Sequence, residues 1–316
     1  MTLSRRKKRT IVRSFQWGIM GSVRFAFMVL NAVAPGLGGR WAANLWFRPL
    51  GSGRNTVTPG TGGRRLPVPV HGRAMAGEMW GSGPTVYLLH GWGGRRGQLG
   101  AFVDPLVAAG YRVVSVDAPS HGESPPGTTG RNRATIIEFA DVLKAAMEQG
   151  GPPHAVIAHS IGCMAAAHAL RNGLRVQSLV FLAPMGTIAP YTHEFARRVG
   201  FGERVRARMV ERIEHRIDRP LSYFDIAPLG EELDTPRLLL VHDRQDAATN
   251  WSDSAAIAAA WPRAELLSTS ELGHQRILRE PGVRAEILAF VGPPPETAEA
   301  AESTYATVAR QPRPVG

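Results

Sequence analysis

The pentapeptide Ala158-His159-Ser160-Ile161-Gly162 sets one serine between two small residues, directly after the apolar run Ala155 to Ala158. A serine at such a strand-to-helix turn has a strained backbone and a hydroxyl that stands clear of the sheet, and only small residues two positions away leave room for it. Serine attacks poorly at its own pKa, so this nucleophile elbow calls for an adjacent base and a carboxylate that orients it. His274, in Leu272-Gly273-His274, follows the last apolar run and precedes a terminal helical pattern, and is read as the base. His242-Asp243-Arg244-Gln245-Asp246 offers two acids. Asp246 lies deeper in its loop, where the chain turns back, and is chosen as the orienting acid; Asp243 is read as bonding the loop backbone. The order Ser160, Asp246, His274 is then nucleophile, acid, base.

A developing oxyanion needs backbone donors that approach closely. His90-Gly91-Trp92-Gly93-Gly94 supplies a glycine-rich loop after an apolar run, and the backbone N–H groups of Trp92 and Ile161 are the expected oxyanion hole. The competing reading is a tight turn that merely needs glycine. His159 is expected to point into the scaffold, His90 to belong to the oxyanion loop, and His168 to lie two turns along the helix after the serine. Asp117 to Ser124 reads as a loop held by internal hydrogen bonds. No His, Cys and carboxylate set has metal-ligand spacing, and no phosphate or dinucleotide fingerprint is present, so the expected chemistry uses no cofactor.

Positioning these groups requires a sheet. Apolar runs at Val86–Leu89, Val113–Val116, Ala155–Ala158, Leu179–Leu182, Leu238–Val241 and Leu266–Leu267 alternate with helical patterns near 98–109, 134–149, 161–172, 253–261 and 283–291. That alternation predicts an α/β fold with a mainly parallel sheet, whose chemistry gathers beyond the carboxyl ends of the strands. The expected divisions are a basic, apolar helical segment over 1–50, a Gly-, Pro- and Arg-rich linker over 51–67, a catalytic domain over 68–292 and a disordered tail over 293–316.

Residues 1 to 77 contain thirteen Arg or Lys and no Asp or Glu, so essentially all of the net charge of +11 is N-terminal. Such a segment points to an anionic surface, most simply lipid head groups, through residues 5–34. No zinc-knuckle spacing, RNA-binding strand or recognition helix accompanies it, which argues against nucleic acid. Arg5 to Arg9 precede an apolar stretch, Ile11 to Ala34, interrupted by Arg13, Gln16, Arg24 and Asn31. Three readings stay open: an interfacial helix on a membrane or packed on the body, a cleaved signal ending near Ala32-Val33-Ala34, and a single span. The compartment expected is the cytoplasm, with or without membrane attachment, or export if the signal is real. The lone Cys163 has no internal disulfide partner, and oligomeric state is open.

Together His-Gly-Trp-Gly-Gly, Asp-Ala-Pro-Ser-His-Gly-Glu-Ser, His-Ser-Ile-Gly and Gly-His resemble the α/β-hydrolase superfamily over about Val68 to Gly292. The resemblance implies an eight-stranded, mostly parallel sheet and the triad as assigned. Ala158 stands where glycine is commonest and Ser120 where glycine is usual. The resemblance also implies a helical lid over 185–235, where Val205, Met209, Ile213 and Ile217 recur every four residues; that stripe would close over the site or simply cover the core. The expected activity is hydrolysis of carboxylic esters through an acyl-enzyme. Amide or thioester hydrolysis and perhydrolysis use the same groups, and a noncatalytic membrane-associated scaffold is the rival from another class.

Overall fold

A computed structural model of the chain describes residues 21–49, 56–60 and 62–294. The basic run Arg5 to Arg9 and most of the tail therefore lie outside the described residues. In chain order the elements begin with α1 (21–33), α2 (Pro35–Trp46), β1 (Arg64–Val70), β2 (Arg73–Trp80) and β3 (Thr85–Leu89). Next come α3 (Val103–Ala108), β4 (Arg112–Val116), α4 (Ile136–Gly150), β5 (Pro153–His159), α5 (Ile161–Arg171) and β6 (Ser178–Leu182). The chain finishes with α6 (Ala189–Val199), α7 (Glu203–Ile217), α8 (Leu229–Glu232), β7 (Arg237–Asp243), α9 (Trp251–Ala260), β8 (Ala264–Thr269), α10 (Gly273–Arg276) and α11 (Pro281–Val291).

The chain divides into two compact units, residues up to Arg48 with Ile188–Tyr223, and Pro49–Thr187 with Phe224 onward. The larger unit is an eight-stranded sheet in the order β1-β2-β4-β3-β5-β6-β7-β8, antiparallel at β1–β2 and β2–β4 and parallel from β4 to β8. β3, β5 and β6 are buried along their whole length, as strands covered by helices on both faces must be. β1 and β2 do not announce themselves as apolar runs. β1 buries only alternate residues, Leu66, Val68 and Val70, and β2 holds Gly77 directly opposite Leu66. The expected linker over 51–67 is thus corrected at its end, because β1 begins at Arg64.

Strand order sets which loops meet. β3 and β5 are neighbours with Leu89 opposite Ala158, so the glycine-rich loop after β3 emerges beside the elbow after β5. β7 and β8 are neighbours with Asp243 opposite Thr269, so the acid loop emerges beside the loop carrying His274.

The smaller unit is helical. Val205, Met209 and Ile213 on α7 are fully buried inside it, and α2 passes so near that a Cβ at Gly38 would meet Val205 at 2.6 Å. Phe27 of α1 stacks on Trp41 of α2 at 4.3 Å and packs 5.0 Å from Phe201. Asn31 Oδ1 accepts the Val205 N–H at 3.2 Å, which caps α7 from outside because its own cap residue is Gly202, without a side chain. The apolar stripe of the expected lid is therefore covered by α1 and α2.

The Asp117 loop is held as the sequence suggests. Its buried carboxylate accepts from the Arg96 backbone and guanidinium, each at 2.5 Å, and from Glu123 N–H at 2.9 Å, while Ser124 Oγ bonds Asp117 O and receives Ala76 N–H. Asp117→Ala would strip the buried partner from Arg96 and from two amides, and should lower unfolding free energy by about 3 kcal/mol in urea titrations. A loss below about 1 kcal/mol would show that the ion pair is idle.

Candidate active site

β5 ends at His159 and α5 starts at Ile161, so Ser160 alone makes the turn, at φ +55° and ψ −122°. That conformation is foreign to an L residue and costs about 1–3 kcal/mol. Neighbouring backbone holds it: Ser160 N–H donates to Leu182 O at 3.0 Å, and Ser160 O accepts from Cys163 and Met185. The hydroxyl does not cap α5. A Cβ on Gly162 would sit 2.6 Å from His90 O and 2.9 Å from Leu89 O, so the glycine there is required by close approach of the neighbouring loop.

His274 lies in the single turn of α10, and its Nδ1 is 2.7 Å from Asp246 Oδ2, a carboxylate with no exposed side-chain surface. Asp246 also accepts Ala248 N–H at 2.7 Å, Thr249 N–H at 3.1 Å and Thr249 Oγ1–H at 3.1 Å, with His242 Nε2 at 3.6 Å. Burial alone would raise its pKa, but hydrogen bonds from His242 and His274 outweigh burial and hold it well below the ordinary carboxylate range. Asp243 does different work. It accepts Gln245 N–H, Thr269 Oγ1–H and Leu272 N–H at 2.9–3.0 Å, tying the His274 loop to β7.

His159 does more than point into the scaffold. Its Nε2–H donates to His274 O at 3.1 Å and the two rings lie 4.5 Å apart, so the residue before the serine grips the backbone of His274. Thr249, His242 and His159 were not among the sequence candidates. Thr249 alone carried a signal, its Asp-x-x-Thr spacing from Asp246, which suits a side-chain-capped turn.

The glycine-rich loop makes a tight turn beside Ser160. Gly94 N–H bonds Gly91 O across a tight turn with Gly93 at φ +67°, and a Cβ on Gly91 would stand 3.0 Å from Ser160 Cβ. Gly91 N–H donates to Gln98 Oε1, and Gln98 Nε2 reaches Gln275 beside His274 at 3.3 Å. Trp92 therefore stands one residue from the closest approach to the serine. Ile161 opens α5, where a backbone N–H has no acceptor within the helix. His90 accepts Ala118 N–H at Nε2 and donates from Nδ1 to Gly91 O, joining this loop to the Asp117 loop.

A model of the alpha/beta hydrolase family matches residues 86–287. Over 188 residues the chain is 34% identical to 2-hydroxy-6-oxononadienedioate/2-hydroxy-6-oxononatrienedioate hydrolase 1 of Dechloromonas aromatica, covering 56% of this chain and 63% of that protein. Over 94 residues it is 34% identical to pimeloyl-[acyl-carrier protein] methyl ester esterase of Methylococcus capsulatus, covering 30% of this chain and 34% of that one. The chain thus spans less than two thirds of the length of these curated relatives. An esterase from Exiguobacterium antarcticum superposes with a TM-score of 0.55 at 17% identity, covering 73% of this chain and 99% of its own. Among the described residues no helix is long and apolar enough to cross a membrane.

Burial pushes His90 down to about 4 and His121 to about 3, and burial with His274 alongside drives His159 well down. Each is neutral when folded but protonates near pH 6.5 when unfolded, so its stabilisation is present above about pH 6.5 and lost as pH falls toward the folded value. Urea midpoints from pH 8 to pH 4 should begin to fall near pH 6.5; a plateau down to pH 5 would contradict this. His159→Leu should keep the fold but release the His274 backbone, lowering kcat about tenfold or more with little change in KM.

Proposed function

The chain belongs to the alpha/beta hydrolase family, and on that premise we propose that it is a serine hydrolase of carboxylic esters. The observation that carries the reading is the strained Ser160 turn, bonded through the adjacent His159 to a histidine that is itself held by Asp246 at 2.7 Å. In the mechanism Ser160 Oγ attacks the acyl carbonyl while His274 Nε2 takes its proton. The oxyanion is met by the N–H groups of Trp92 and Ile161, each worth about 3–4 kcal/mol in such sites. His274 returns the proton to the leaving alkoxide, giving an alcohol and an acyl-enzyme. A water then gives a proton to His274 and attacks the acyl carbon; the collapse releases the acid and reprotonates Ser160.

Asp246 stays ionised throughout. Its low pKa keeps the carboxylate an acceptor for Nδ1–H, which fixes the tautomer with a free Nε2 and favours the imidazolium that forms. A methyl ester esterase among the partial relatives supports an ester substrate, and the hydrolase relative supports hydrolysis more broadly.

Hydrolysis of p-nitrophenyl esters from acetate to palmitate tests the reading. The wild type should turn over, Ser160→Ala and His274→Ala should fall to background while staying folded, and Asp246→Asn should lose about 10⁴-fold in kcat. A folded wild type that is inert on every ester and unlabelled by a fluorophosphonate would favour a noncatalytic scaffold instead.

A further inference from the structure

We propose that the outer face of α1 and the start of α2 is a docking surface for an anionic lipid interface. Among the described residues the exposed large apolar side chains are Phe25, Met28, Val29, Val33 and Leu37, between 41% and 75% exposed. All five fall within thirteen residues of one another. At 100° per residue the four on α1 span an arc of about 140°, while Arg24, Phe27 and Asn31 gather within about 60° on the opposite side.

The helix thus carries an exposed apolar face in addition to the one that Phe27 buries. Two of its polar residues bond the protein: Arg24 Nη2 donates to Arg198 O at 3.2 Å, and Asn31 caps α7 through Val205 N–H. Phe25, Met28, Val29 and Val33 face outward. Single exposed apolar residues are unremarkable, but a contiguous group marks a surface that something covers.

Charge selects the occupant. The chain from residue 1 to 77 holds thirteen basic and no acidic residues, including Arg5, Arg6, Lys7, Lys8 and Arg9 ahead of this face. Exposed apolar side chains on so basic a stretch of chain fit a helix lying in the head-group region of an anionic bilayer. A second copy of the chain would bring the same positive charge against itself.

The test is sedimentation of the full chain with vesicles of phosphatidylcholine alone, or of phosphatidylcholine with phosphatidylglycerol. The wild type should bind the anionic vesicles, bind neutral ones roughly tenfold less, and detach as salt rises. Phe25→Ser combined with Val33→Ser and Leu37→Ser should weaken binding roughly tenfold or more, with turnover of a soluble acetate ester unchanged. Because these side chains are exposed, the variant should melt like the wild type, and the single Val33→Asp change repeats the test with least disturbance. Wild type that stays in the supernatant, equal binding to neutral vesicles, or full binding by the apolar variants would overturn the proposal. So would a wild-type dimer that the variant dissociates, since a second copy would then be the occupant. Loss of esterase activity alone leaves these arms intact, so this proposal and the proposed reaction fail separately.

Discussion

The hydrogen bond from His159 to the backbone of His274 is the contact on which the geometry of the site depends. β5 and β8 are separated by β6 and β7, three strand steps or about 14 Å at the usual spacing. A histidine carried beyond β8 meets the serine beyond β5 only if its loop crosses back over the strand ends. His159, as the last residue of β5, is rigid and adjacent to Ser160, so a bond from its ring to His274 O fixes the end of the crossing relative to the serine. The near end is fixed by Asp243, whose carboxylate bonds Thr269 and Leu272. Asp246 then needs only to reach a loop already held at both ends.

This division of labour explains why two acids stand so close in one loop. Asp243 is on the strand and its carboxylate bonds loop backbone and the Thr269 hydroxyl at the end of β8, so it sets the path of the chain. Asp246 is beyond the strand and faces two imidazoles, His242 and His274. The ionised carboxylate is buried, and burial of a charge is unfavourable unless donors surround it. Two backbone amides, the Thr249 hydroxyl and the histidines supply them. The same logic applies to His90, His121 and His159: each is buried, each is kept neutral by burial, and each spends a ring nitrogen on a backbone carbonyl. Neutral imidazole serves these positions because it donates directionally without bringing a charge into the core.

Much of this was legible because the chemistry leaves local marks. Ala158 and Gly162 flank Ser160 for steric reasons that act within two residues, and Gly162 meets the very backbone that a side chain would strike. Asp246 could be separated from Asp243 because depth in a loop is a sequence property. The buried parallel strands read as apolar runs because both their faces are covered. β1 and β2 were missed for the converse reason: β1 buries one face only, contains Pro67 and Pro69, and sits in a Gly- and Arg-rich stretch. The contacts of His159 and His242 were not legible at all, because they depend on which strands the fold makes neighbours. Nothing near either histidine in the chain encodes that.

The N-terminal helix shows a different limit. Periodicity divides a helix into faces, but it does not say which face the protein takes. In α1 both faces carry large apolar residues, Val23, Phe27 and Leu30 on one and Phe25, Met28 and Val33 on the other, so hydrophobicity alone does not choose. The choice is made by polar groups elsewhere. α7 begins after Gly202, which has no side chain to satisfy the first amides of the helix, and Gly200 leaves room for the Arg24 side chain. Asn31 and Arg24 fill those two needs, which turns their side of α1 inward together with Phe27. The outward direction of Phe25, Met28 and Val33 is then a consequence of unsatisfied backbone at the start of another helix, some 170 residues along the chain.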